Sequence, residues 1–275
     1  RVGIDDGRLF SVAGRPWLAF AAVSLGGEAE PCAHGMMICP LTLPTADDNK
    51  QKITCQRKIT LTYERADAIT KVFFKQQNLA NVHQKNWVPL VMGDTLYVVF
   101  TIEPLCVLRV DLETGRCTQV RADADLVGHS AFQPFREATV LKSAQPHSTY
   151  SIHGGSPYIK LPERFGGEWL GIGRVTRGNT KYTLFFHTLT LRADSQEDFV
   201  LSRIGPLFCF AAATSPASPA AATHRGFCET IQFAGGLVVQ GDRLLISYGV
   251  NDCEAKVAVM PLVEVTTTML EPAAE

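Results

Sequence analysis

The residues of this sequence best suited to chemistry stand in five short polar stretches. They are Ile4-Asp5-Asp6-Gly7-Arg8, Lys85-Asn86-Trp87-Val88-Pro89, His153-Gly154-Gly155-Ser156-Pro157, Gln232-Phe233-Ala234-Gly235-Gly236 and Ser247-Tyr248-Gly249-Val250-Asn251-Asp252. Gathered in one place, their side chains offer a carboxyl group for proton transfer, cations for an anion, and paired donors and acceptors for vicinal hydroxyls. Metal chemistry has a single candidate, the trio Cys32, His34 and Cys39. No second pair stands at zinc-site spacing, so no metal is expected.

These stretches need elements to hold them, and the elements read as strands. Ile59-Thr60-Leu61-Thr62-Tyr63 alternates apolar and hydroxyl residues, the period of a half-buried strand, and Tyr182, Leu184 and Phe186 alternate likewise. Glycine turns at Gly14, Gly93, Gly167 and Gly241 recur every 74 to 79 residues, each followed by a strand. A polar or glycine-rich stretch and one strand precede each turn. The expected fold class is therefore all-β, a propeller of repeated four-stranded blades. Because the first strand of each blade lines a propeller's central channel, the polar tips would converge at one mouth. A β-sandwich gives no reason for polar tips to recur in phase. Residues 211–219 read as a surface insertion and residues 45–52 as a polar loop; neither marks a boundary, so residues 1–275 read as one domain.

Composition narrows the function classes. Of 275 residues, 46% are hydrophobic and 19% charged, with 26 basic against 27 acidic. No basic cluster suggests nucleic acid or an anionic membrane surface as a partner, and no run approaches the roughly 20 apolar residues that span a bilayer. The eight cysteines are scattered without CxxC spacing. They read as reduced, buried thiols of a cytoplasmic protein.

The tips resemble a known family. Ile4-Asp5-Asp6-Gly7-Arg8 looks like the Glu-Asp-Pro-Arg signature of glycoside hydrolase family 130, the β-mannoside phosphorylases. Gln84 to Pro89 is similar to the family's second-blade lysine motif. His153 to Pro157 with Trp169-Leu170-Gly171-Ile172-Gly173-Arg174 resembles its Gly-rich segment and following strand. Ser247 to Asp252 resembles its closing Tyr-Gly-x-x-Asp motif. The Asn-Trp, Ile-Glu-Pro and Tyr-Gly-Val-Asn-Asp-Cys-Glu details resemble the mannosyltransferase/phosphorylase enzymes of protozoan parasites. The resemblance implies a five-bladed propeller acting on β-1,2-linked mannose. Four blade starts are visible, so a further blade is expected upstream of the aspartate motif.

Inverting cleavage of a glycosidic bond needs an acid for the leaving oxygen and a nucleophile on the opposite ring face. A hydrolase adds a second carboxylate to activate water, whereas phosphate is already anionic and needs positive clamps instead. The resemblance makes Asp6 the catalytic acid; the plain alternative is an aspartate capping a turn. Asp5 and Gly7 stand where the family has Glu and often Pro. Arg8 would pair with the acid, hold a hydroxyl, or form a structural salt bridge. Lys85 is the candidate phosphate or hydroxyl contact, Asn86 a hydroxyl partner, and Trp87 either a plate for a sugar face or a core tryptophan. Glu103 either binds sugar or ends a strand.

Arg174 stands where many relatives carry His and suits bidentate phosphate. His153 and Lys160 flank the same segment, Gln232 heads the last blade, and Tyr248 with Asp252 would hold sugar hydroxyls. The arginine that relatives carry after the first blade's second strand is missing; residues 28–38 hold only His34.

The expected function is synthesis or phosphorolysis of β-1,2-mannosides without a cofactor. Inorganic phosphate or a nucleotide sugar serves as co-substrate, and the partners are mannose, mannose 1-phosphate or GDP-mannose, and β-1,2-mannooligosaccharides. An inverting hydrolase would instead need Glu103 or Glu254 roughly 6.5–9.5 Å from Asp6. A propeller binding glycans or proteins without catalysis is the other class.

Overall fold

The computed structural model of the chain describes residues 2–24, 33–44, 53–63, 86–122, 150–177, 181–210, 221–223, 228 and 230–272. Lys85, Cys32, the 211–219 insertion and the 45–52 loop lie outside them.

The chain divides into two compact units, Arg1–Phe100 with Val107–Val120, and Thr101–Cys106 with Arg121–Glu275. The first unit holds two sheets. Strands β1 (Val2–Val12), β2 (Arg15–Ser24), β3 (Ala33–Thr42) and β4 (Thr54–Cys55) lie in that order, with β5 (Ile59–Thr60) also on β3. The second sheet contains β6 (Thr62–Tyr63), β7 (Val88–Met92), β8 (Thr95–Thr101), β9 (Cys106–Val110) and β10 (Arg116–Ala122), ordered β6-β10-β9-β8-β7.

The second unit holds the other two sheets. In the third, β11 (Tyr150–Gly154), β13 (Trp169–Arg177), β14 (Lys181–Leu191) and β15 (Phe199–Ile204) run side by side. The short strands β12 (Ile159–Lys160), β16 (Phe208–Phe210) and β17 (Ala221–Thr223) flank them. The fourth is β18 (Gln232–Gln240), β19 (Arg243–Val250) and β20 (Glu254–Pro261). A helix, α1 (Leu262–Thr267), follows, and β21 (Glu271–Pro272) returns to β15.

Three of the four recurring glycines make the tight hairpin turns expected of them, whereas Gly167 lies after a 3-10 turn (Glu163–Phe165) that leads into β13. Ala13 and Gly14 both have positive φ (49° and 72°), the pattern of a type I′ turn joining β1 to β2. Gly93 and Gly241, at 59° and 60°, turn β7 into β8 and β18 into β19. A Cβ at Gly14, Gly93 or Gly241 would meet nothing within 4 Å, so backbone conformation rather than space calls for glycine there.

The second unit's core forms where the third and fourth sheets meet. Leu170, Ile172, Leu184 and Phe186 pack in one cluster with Leu237, Leu244, Ile246 and Met260, joined by Leu262 and Val265 of α1. Phe186 and Phe208 stack at 4.7 Å, each fully buried. Alternation along β18 and β19 buries Leu237, Leu244 and Ile246 while exposing Val238 and Ser247, the period-2 pattern of half-buried strands.

Four cysteines correct the expectation of reduced thiols. Cys39 bonds Cys55 and Cys209 bonds Cys228, with Cα–Cα separations of 5.7 and 5.6 Å. Separations of 16 and 19 residues carry no pairing signal. The strand register that sets Leu41 opposite Cys55 creates the first approach. Cys106 and Cys117 are buried, and Cys253 is exposed. Cys39, one of the three residues considered as metal ligands, is occupied by its disulfide.

One buried titratable pair escaped the sequence reading. The Tyr158 hydroxyl and His187 Nε2 lie 2.5 Å apart in the third sheet's core, and His187 Nδ1 is buried with no partner among the described residues. Burial pulls the His187 pKa from its ordinary 6.5 down to about 3 and pushes that of Tyr158 upward. The fold thus holds the neutral imidazole, whereas the unfolded chain takes up a proton below pH 6.5. Stability from this site is whole above that value and is lost as pH falls toward 3, by about 1.4 kcal/mol per pH unit at most. Thermal melts from pH 7.5 to 4.5 should therefore show a steeper loss for the native chain than for His187→Gln. Parallel slopes would exclude His187 as the titrating group.

Candidate functional site

Each polar tip is a local departure from regular strand geometry. On β1 the pairing with β2 slips between Asp5 and Arg8, and Asp6 takes φ 53° inside that bulge. A bulge re-aims the side chain it carries, and Asp tolerates the left-handed region better than most residues. Asp6 is half-buried, with Oδ2 inside. The Arg8 side chain is fully buried, and its Nη1 donates to the Asp6 carbonyl at 2.8 Å. The arginine thus braces the bulge.

In the same unit Asn86 is 8% exposed at φ 79°, entering β7. Trp87 is 3% exposed, with its ring edge-on to Phe100 at 5.1 Å. Trp87 is a core residue, so its ring is not a plate open to a sugar.

The second unit gathers a cationic site. His153 and Arg174 are direct cross-strand partners on β11 and β13 and share one face of the sheet. Arg174 is 4% exposed, and its Nη1 donates to the Gly154 carbonyl at 3.4 Å. Its guanidinium carbon lies 5.4 Å from the Tyr182 ring centre and 4.9 Å from that of Phe233.

Beside it the Gly-rich tip folds back on β13. Gly155 and Ser156 both donate backbone N–H groups to the Ile172 carbonyl, at 3.0 and 3.2 Å. Ser156 Oγ accepts from the Ile172 N–H at 2.9 Å. A Cβ on Gly155 would stand 2.8 Å from the Ile172 carbonyl oxygen, so this close approach admits only glycine.

Other candidates are placed differently. Lys160 pairs with Trp169 across β12 and β13, with its Nζ 5.2 Å from that ring and 3.6 Å from Glu163. Glu103 is half-buried in the turn between β8 and β9. The Gln232 amide is engaged by backbone: its Oε1 accepts from Phe210 N at 2.7 Å and its Nε2 donates to Phe210 O at 2.9 Å. That exchange fastens β18 to β16 as a strand pairing would.

Tyr248 stacks on Phe210 with ring centres 4.1 Å apart. Asp252 is exposed and, with Asn251, takes positive φ (55° and 52°) in the turn between β19 and β20. Asn and Asp tolerate that backbone best after glycine, which accounts for this pair without invoking a ligand. Glu254, weighed as a hydrolase's second carboxylate, is exposed and pairs with Lys256 at 2.8 Å.

Sequence reasoning missed Phe233 and Tyr182, the rings that flank Arg174. An aromatic residue within an alternating strand signals core, and nothing in its neighbours announces a cation.

No family model and no curated protein matches the chain in sequence. Solved structures do resemble it. A β-1,2-mannobiose phosphorylase from Listeria innocua, in complex with β-1,2-mannobiose, superposes with a TM-score of 0.51 at 14% identity, covering 97% of this chain and 60% of that one. A glycosyl hydrolase from Bacteroides ovatus matches at a TM-score of 0.42 and 12% identity, covering 99% of this chain and 68% of that one. The chain spans about 60% of the phosphorylase's length. Likeness at this identity bears on the fold alone: the chain is all-β, of the β-propeller class, with four sheets among its described residues.

Proposed function

We propose that this chain belongs to a carbohydrate-active enzyme that makes or phosphorolyses β-1,2-linked mannosides, inverting at the anomeric carbon, with Asp6 as the acid. The observation that carries this reading is the Arg174–His153 site. A buried guanidinium beside an imidazole, at a glycine-rich tip, suits an anion that must be held while it attacks. The propeller fold and its likeness to a phosphorylase support the same reading.

In phosphorolysis, a phosphate oxygen bonds to the anomeric carbon as the glycosidic C–O bond breaks. The leaving oxygen takes the proton that Asp6 supplies, directly or through a substrate hydroxyl. Arg174 and His153 offset the phosphate charge, and the products are α-mannose 1-phosphate and a shortened mannoside. In the synthetic direction the same groups act in reverse, and a nucleotide sugar presents a phosphate to the same cations. Mannose, mannose 1-phosphate or GDP-mannose, and β-1,2-mannooligosaccharides are the proposed partners, with no cofactor.

Incubation with mannose 1-phosphate and mannose should release inorganic phosphate together with β-1,2-mannobiose. GDP-mannose in place of mannose 1-phosphate tests the transfer route. Production of neither free phosphate nor oligosaccharide from either donor would refute the proposal.

A further inference from the structure

A guanidinium keeps its charge at any working pH, so burying Arg174 to 4% exposure requires partners that replace water. Two ring faces take part, Phe233 at 4.9 Å and Tyr182 at 5.4 Å. Such contacts strengthen as water is excluded. The rings come from different sheets, Tyr182 from β14 of the third and Phe233 from β18 of the fourth.

Both rings are themselves held. Phe233 follows Gln232, whose amide is fastened to both backbone groups of Phe210, and precedes the register slip between Ala234 and Gly236. The Tyr182 carbonyl accepts from the Cys228 N–H at 2.8 Å, and Cys228 is tied to Cys209.

We propose that Phe233 is a positioning residue for anion binding by Arg174: its ring sets the plane and reach of the guanidinium, and so the affinity for a phosphate group. The inference rests on the phosphate reading of Arg174 given above. The ligand chemistry is a phosphate oxygen cluster, whether in inorganic phosphate or in mannose 1-phosphate.

Phe233→Leu keeps an apolar side chain of similar bulk but removes the ring face, and Phe233→Tyr retains it. Loss of the contact should raise the phosphate KM about fivefold. The mannoside KM, and kcat at saturating phosphate, should stay near the native values, and Phe233→Tyr should restore the phosphate KM. Calorimetry with inorganic phosphate and with mannose 1-phosphate separates the two sources of the anion, and Arg174→Ala serves as reference. If Arg174→Ala weakens phosphate binding and Phe233→Leu does not, the positioning role is overturned while the phosphate reading stands. If Phe233→Leu raises both KM values alike and lowers the Tm, the ring is only packing and the proposal fails. If Arg174→Ala leaves phosphate binding unchanged, the phosphate reading fails and the positioning role with it.

Discussion

Asp6→Asn is expected to lower kcat for mannoside phosphorolysis by a factor on the order of 10²–10⁴, the usual worth of a positioned general acid, while leaving mannose binding intact. Asp6 sits at φ 53° inside the β1 bulge, and asparagine tolerates that conformation as readily as aspartate. The Arg8 guanidinium donates to the backbone carbonyl of residue 6, which the change does not touch. The bulge should therefore survive, and what disappears is the proton. Alanine at the same place would confound the result by adding backbone strain. Phosphate release gives kcat, mannoside titration gives binding, and a Tm close to that of the native chain certifies the fold. Turnover within tenfold of the native rate would remove Asp6 from the mechanism and leave the β1 tip a structural turn.

The largest stability effect is expected at the Glu168–Arg203 pair. Arg203 Nε donates to Glu168 Oε2 at 2.7 Å and its Nη2 lies 2.5 Å from the same oxygen. Ser202 Oγ donates to Glu168 Oε1 at 2.5 Å, and Arg203 also reaches the carbonyls of Thr266 and Phe165. One side chain thereby ties β15 to the start of β13, to α1 and to the turn holding Phe165. The two side chains are 19% and 14% exposed, so solvent screens the pair only partly.

Arg203→Leu leaves Glu168 with an uncompensated charge and opens two backbone contacts. A loss of about 3 kcal/mol is expected, or a Tm drop on the order of 8 °C for a unit of this size. Removing both charges, as in Glu168→Leu with Arg203→Leu, should recover part of that loss, because the stranded charge accounts for much of the single variant's cost. A drop of 1 °C or less in Arg203→Leu would show the pair to be screened and unimportant.

Much of this architecture was legible in the chain. Strand alternation and turn glycines act between residues a few positions apart, so Ala13-Gly14, Gly93-Asp94 and Gly241-Asp242 each mark a hairpin that forms as expected. The tips were legible too, as polar interruptions in apolar runs, and β1, β7, β11 and β18 each carry one. Their detailed roles were not. Asn251 and Asp252 follow from the backbone of their own turn, Trp87 fills a core, and Gln232 does the work of a missing strand partner. For Trp87 and Gln232 a side chain able to touch a ligand is engaged by protein groups distant in sequence.

What the sequence determined by itself was the all-β class, the hairpin spacing and the residue types at the tips, because these depend on short-range backbone preference and on which side chains alternate. Only tertiary structure decided which cysteines pair, that His187 and Tyr158 share a buried core, and that Arg174 lies between rings from two sheets. Those outcomes depend on register and on which sheet faces meet. Both are set by packing summed over many distant residues, and no local stretch of sequence carries that sum.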